Sequence, residues 1–140
     1  MSVALLIITH APLGSATLEA ARGTLGTTPL PVAVMDIPLD ADPQREQQRA
    51  ESLLRELDQG DGVLVLTDLY GSTPSNIASR LLQPGCDIRL LSGLSLPMLI
   101  RTMNYPTLPL DKLAEKAQSG AHAGILLKPE VATREHLNHA

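Results

Sequence analysis

Gly62-Val63-Leu64-Val65-Leu66-Thr67-Asp68-Leu69-Tyr70-Gly71-Ser72-Thr73-Pro74 is the stretch from which the fold can be read. Its first half is an unbroken run of Val and Leu, the signature of a strand covered on both faces of a parallel sheet. Its second half turns polar, inserts a glycine and ends on a hydroxyl residue followed by proline. Thr73-Pro74 is a helix start, an N-cap side chain with proline at the first helical position. Strand, short loop and helix together make the repeating piece of an α/β fold.

The same pattern recurs on both sides of this stretch. Apolar runs at 3–9, 31–36 and 87–92 read as three more strands, and 121–127 as a weaker fifth. Helical spacing fills the gaps. Leu18, Ala21 and Leu25 mark a first helix, and Ala50, Leu53, Leu54 and Leu57 form the apolar stripe of a second. Asp42-Pro43 starts that second helix and Gly60 stops it. The helix after Pro74 carries Ile77, Leu81 and Leu82; further helices are expected at 96–103 and 110–119. Alternation at this spacing predicts a doubly wound, flavodoxin-like α/β sheet of order 2-1-3-4. Residues 1–128 are read as one domain and 129–140 as a polar tail.

Composition agrees with that architecture and excludes others. A chain of 140 residues that is 44% hydrophobic can bury a core, and with no Phe or Trp and two Tyr the core must be aliphatic. A net charge of −4 and the lack of aromatic stacking platforms argue against nucleic acid as partner. The single Cys86 allows no internal disulfide and suits a reducing compartment. The run at 3–8 has no basic flank, since the first positive residue is Arg22, and is too short to span a membrane. It is read as a buried strand rather than a signal peptide, and the protein is expected to be cytoplasmic, with no direct membrane insertion.

In open α/β sheets ligands bind beyond the carboxyl ends of the strands, where the strand order reverses. With order 2-1-3-4 that crevice opens between strands one and three. His10 directly follows the first and Asp68 the third. A carboxylate beside an imidazole can hold one ring nitrogen, fix the tautomer and leave the other nitrogen as a nucleophile. Gly71, Ser72 and Thr73 open the next helix, where free N–H groups and hydroxyls can receive an anion such as a phosphoryl group. Taken singly, His10 is an ordinary surface residue, Asp68 a turn cap and Ser72-Thr73-Pro74 a routine helix start; their joint placement is what favours chemistry. His122, His136 and His139 lack metal-ligand spacing, so no metal or cofactor is expected. Cys86 reads as a small apolar residue rather than a nucleophile.

Three segments resemble the enzyme IIA components of the mannose class of the bacterial phosphotransferase system. They are Ala4-Leu5-Leu6-Ile7-Ile8-Thr9-His10, the 62–76 stretch ending in Pro74-Ser75-Asn76, and Ser92-Gly93-Leu94-Ser95-Leu96-Pro97-Met98-Leu99. The resemblance covers about residues 2–127. It implies that His10 is the phosphoryl acceptor, with Asp68 hydrogen-bonded to its other ring nitrogen and Gly71, Ser72 and Thr73 around the phosphoryl group. It implies an HPr-type phosphocarrier as donor and an enzyme IIB-type acceptor, here expected on a separate chain. It also implies a homodimer that exchanges a last, antiparallel edge strand, which would be 121–127. Ala11-Pro12 after the histidine, Tyr70 in place of a common Trp and Ser95 in place of Asn depart from the family pattern. Two alternatives stand beside this reading: a phosphoryl donor subunit for dihydroxyacetone kinase, and a non-catalytic regulatory binding module.

Overall fold

The structure, a computed structural model, describes residues 2–129. The elements are β1 (Ala4–His10), α1 (Leu13–Leu25), β2 (Val32–Ile37), α2 (Pro43–Leu57), β3 (Val63–Thr67), α3 (Thr73–Ser79), β4 (Ile88–Leu91), α4 (Leu96–Met103) and α5 (Leu110–Ala123). The sheet order is β2-β1-β3-β4, and every pairing is parallel. This is the strand order expected from the sequence. β1 is central, running in register with β2 from Leu5↔Val32 to His10↔Ile37 and with β3 from Ala4↔Val63 to Ile8↔Thr67.

Strand side chains alternate between two apolar layers. Leu5, Ile7, Leu64 and Leu66 pack with α1, α4 and α5 through Leu18, Ala21, Met98, Leu99, Met103 and Leu113. Ala4, Leu6, Ile8, Val63 and Val65 pack with α2 and α3 through Ala50, Leu54, Ile77 and Ala78. Both faces of the central strands are therefore dry, and that is why β1 and β3 need continuous aliphatic sequence. α2 begins as its sequence predicts: the Asp42 carboxylate accepts the Gln44 N–H at 3.1 Å, and Pro43 is the first helical residue.

Two expectations are corrected. α3 starts one residue earlier than Thr73-Pro74 suggested, with Ser72 at the N-cap, and it ends at Ser79. Leu81 and Leu82 follow it in tight i to i−3 bonds to Ala78 and Ser79, because Gln83-Pro84 cannot continue a helix. The second correction concerns the fifth strand. Residues 121–123 close α5, which continues past Ser119 because Ala117, Gly120 and Ala121 prolong its packed stripe and alanine favours helix. Residues 124–129 belong to no strand, so no antiparallel edge strand occurs among the described residues. Ile125, Leu126 and Leu127 are instead exposed, at 81, 71 and 74%. The expected tail falls almost wholly outside the described residues, as do His136 and His139.

Candidate functional site at the ends of the central strands

β1 ends on His10, and Asp68 is the first residue beyond β3. Because these strands are neighbours, the two side chains meet without help from any other element. His10 Nδ1 lies 2.8 Å from Asp68 Oδ2, and the same oxygen accepts the His10 backbone N–H at 3.0 Å. The other oxygen accepts the Leu69 N–H at 2.8 Å. The Asp68 side chain is only 11% exposed and that of His10 33%. Burial alone would raise the Asp68 carboxyl. The His10 N–H and ring and the Leu69 N–H outweigh it and hold the group below its ordinary value. The carboxylate is then an acceptor only, so the proton of the shared bond sits on Nδ1. Nε2 makes no hydrogen bond among the described residues and carries the lone pair in the neutral ring.

The strand ends are held by polar groups whose roles no local pattern announces. Thr9 is fully buried; its hydroxyl donates to the His10 carbonyl at 2.9 Å and accepts the Gly14 N–H at 2.7 Å. Gly14 is required by this approach, since a Cβ there would sit 2.9 Å from Val34 Cγ1 and 3.0 Å from Thr9 Oγ1. The Ser15 N–H and hydroxyl both donate to the Asp36 carboxylate, which caps the start of α1 from the end of β2. On the other flank, Gly93 N–H and Leu94 N–H donate to the carbonyls of Asp68 and Thr67, each at 2.9 Å. The only sequence sign of these anchors is a polar residue closing each apolar strand run: Thr9, Asp36, Thr67 and Ser92.

The loop expected to receive a phosphoryl group, Gly71 to Thr73, lies between Asp68 and α3, with some of its donors already engaged. Gly71, at φ +86°, donates its N–H to the buried Ser75 hydroxyl at 3.2 Å. The Ser72 hydroxyl donates to the Leu69 carbonyl at 2.6 Å. Thr73 is exposed in the first turn of α3, where a helix leaves its N–H groups without intrahelical partners. Ser95 caps α4, its hydroxyl accepting the Met98 N–H at 3.2 Å. Asn and Ser are both good caps, so this departure preserves the helix start.

Leu69 and Tyr70, beside Asp68, are 62 and 76% exposed. Four clefts among the described residues, about 240 to 410 Å³ in volume, are lined by neither His10 nor Asp68. The His10 side chain, 33% exposed, is open to solvent. Among the described residues no set of three His, Cys, Asp or Glu side chains is placed to hold a metal ion, and no helix is long and apolar enough to cross a membrane. His122 is exposed near the end of α5, away from any such set. Cys86 is partly buried and donates to Asp58 Oδ2 at 3.3 Å; burial and the Asp58 carboxylate push its thiol up to about 11.

Comparison with known proteins gives this geometry a family. The mannose-type EIIA family model, described as "PTS system fructose IIA component", matches residues 4–118. The mannose-specific EIIAB component of the phosphotransferase system of Escherichia coli K12 is 29% identical over 103 residues. That match takes in 74% of this chain and 32% of the relative, so the chain spans about a third of the relative's length. The transcriptional regulatory protein LevR of Bacillus subtilis is 31% identical over 116 residues, 79% of this chain and 12% of that protein. Among solved structures, the phosphotransferase component EIIA of Streptococcus agalactiae superposes with a TM-score of 0.76 at 26% identity, covering 89% of this chain and 96% of that one. The mannose/sorbose-specific IIA subunit of Enterococcus faecalis shares the fold with a TM-score of 0.82 at 24% identity, over 91% and 95%. The match over most of the chain, and the meeting of strand-end histidine and aspartate, lead to one assignment: this chain belongs to the mannose-type enzyme IIA family of the phosphotransferase system.

Proposed function

We propose that this chain is a phosphoryl carrier. It accepts a phosphoryl group on His10 from an HPr-type phosphocarrier and passes it to an enzyme IIB-type acceptor, in sugar uptake or in regulation tied to it. The 2.8 Å contact between His10 Nδ1 and Asp68 Oδ2 carries this reading. It leaves Nε2 as the nucleophile, on a side chain 33% exposed that a protein can reach. In the transfer, the Nε2 lone pair attacks phosphorus, and an N–P bond forms as the donor's P–N bond breaks. The donor nitrogen leaves with that electron pair. The ring, still protonated on Nδ1, becomes cationic, and the Asp68 carboxylate beside it offsets that charge. Transfer to the acceptor is the same displacement in reverse.

Loop residues Gly71, Ser72 and Thr73 are the proposed rest for the phosphoryl group. Thr73 offers open donors at the start of α3, and the Ser72 hydroxyl would turn from the Leu69 carbonyl to donate. The exposed Leu69 and Tyr70 suit contact with a protein partner. The exposed Ile125–Leu127 run is covered, in this proposal, by exchange between two copies of the chain in a homodimer. The similarity to LevR favours a second use of the same chemistry, in which the phosphorylation state of His10 is itself a signal.

The deciding experiment is incubation with enzyme I, HPr and labelled phosphoenolpyruvate. Acid-labile, base-stable label that is absent from His10→Ala is the expected result. A wild-type protein that takes up no label overturns the carrier reading and leaves the non-catalytic binding module.

A further inference from the structure

We propose that Thr9 is a positioning residue for His10, its buried hydroxyl setting the main-chain geometry in which one Asp68 oxygen grips both the His10 N–H and the His10 ring. This rests on the carrier reading only for its effect on phosphoryl transfer; its effect on the ring does not depend on that reading. Residues 4–8 of β1 are all aliphatic and fully buried, so a hydroxyl at position 9, equally buried, is out of keeping with the strand. A buried hydroxyl without partners is costly. This one has both of its functions satisfied, and both partners flank the histidine. It donates to the His10 carbonyl at 2.9 Å and accepts the N–H of Gly14, in the first turn of α1, at 2.7 Å.

Every polar handle of His10 except Nε2 is thereby held. Asp68 Oδ2 takes the N–H and Nδ1, restraining φ and χ1. Thr9 takes the carbonyl, restraining ψ, and ties the end of β1 to the start of α1. Thr9 is 0% exposed, so it cannot touch a phosphoryl group or a partner. Its influence must pass through His10. The tight fit at Gly14, where a Cβ would come 3.0 Å from Thr9 Oγ1, shows how closely the two elements are drawn together around this hydroxyl.

The test compares Thr9→Val, which keeps the shape and loses both bonds, with Thr9→Ser, which keeps both. The full chain is labelled with ¹⁵N-histidine, and the His10 ring is followed by NMR. We expect the wild type and Thr9→Ser to show one tautomer with a protected Nδ1 proton. In Thr9→Val the tautomers mix and that proton exchanges about tenfold faster or more. Phosphorylation of His10 at saturating HPr should slow about tenfold in Thr9→Val and recover in Thr9→Ser, with KM for HPr little changed. Thr102→Val is the control for losing any buried hydroxyl: Thr102 is 0% exposed, bonds the Met98 carbonyl within α4, and should leave the His10 ring untouched. If Thr9→Val does not fold, Thr9→Ala against Thr9→Ser isolates the hydroxyl in the same way. A wild-type ring spectrum in the variant that lacks the hydroxyl overturns the proposal. Failure of the wild type to accept label would overturn the carrier reading instead, while the ring spectra still decide on Thr9.

Discussion

Replacing Asp68 with Asn removes a charge and almost nothing else, so it isolates what the carboxylate does. The amide oxygen can stay toward His10 and keep accepting its N–H and Nδ1, bonds of 3.0 and 2.8 Å in the native protein. The amide NH₂ then faces the Leu69 N–H, which loses its acceptor. One lost backbone bond in a side chain 11% exposed should cost about 1 kcal/mol of stability. For a chain of this length that lowers the melting temperature by roughly 3–5 °C, readable by circular dichroism. The larger effect is on transfer. A hydrogen bond to a charged group contributes about 1.5–3 kcal/mol, and in the proposed transfer the ring charge that Asp68 offsets develops only as Nε2 gains phosphorus. The expected loss is about 10- to 100-fold in the rate of His10 phosphorylation, measured with enzyme I, HPr and labelled phosphoenolpyruvate. A folded Asp68→Asn protein that is phosphorylated within twofold of the wild-type rate would refute the orienting and charge-offsetting role.

Other expectations follow from the same structure. The Asp68 carboxyl is held below its ordinary value of about 3.9, so its contribution to stability is complete above about pH 5 and is lost as pH falls through 4 toward the folded value. Urea titrations should therefore show the gap between wild type and Asp68→Asn closing below pH 4; a gap constant down to pH 2 contradicts this. Cys86, with its thiol at about 11, should react with iodoacetamide at pH 8 about 100-fold more slowly than an unhindered cysteine, and Asp58→Asn should speed it. Gly120→Ala should destabilise by about 1–3 kcal/mol, because the new methyl meets Arg101 where α5 crosses α4. Light scattering at micromolar concentration should give a dimer, and Leu126→Asp should shift it to monomer; a monomeric wild type excludes the exchanged arrangement.

What could be read from the sequence was whatever depends on contiguous residues. The aliphatic runs revealed parallel strands because burial on both faces leaves no room for polar alternation, and Asp42-Pro43 revealed a helix start because cap and proline are adjacent. His10 and Asp68 were legible because a strand order already brings their strand ends together. Thr9 and Ser75 were not, since a hydroxyl that bonds Gly14 or Gly71 looks in sequence like any other strand or helix residue. Asp36 caps α1 from another strand, beyond the reach of local pattern. The misreading of 121–123 as strand has the same root. A short apolar run is compatible with helix or strand, and only the packed stripe of α5 decided for helix as far as Ala123.

The placement of His10 and Asp68 at the ends of the two inner strands has a consequence for how the protein fluctuates. Edge elements open first and most often, and the interior of a sheet opens last, close to global unfolding. β2 and β4 each have one strand neighbour in the sheet, whereas β1 and β3 have two. Amide hydrogens of residues 5–8 and 63–66 should accordingly be the slowest in the chain to exchange with deuterated solvent. Loops and edges can then breathe while the frame beneath the His10 ring keeps its shape.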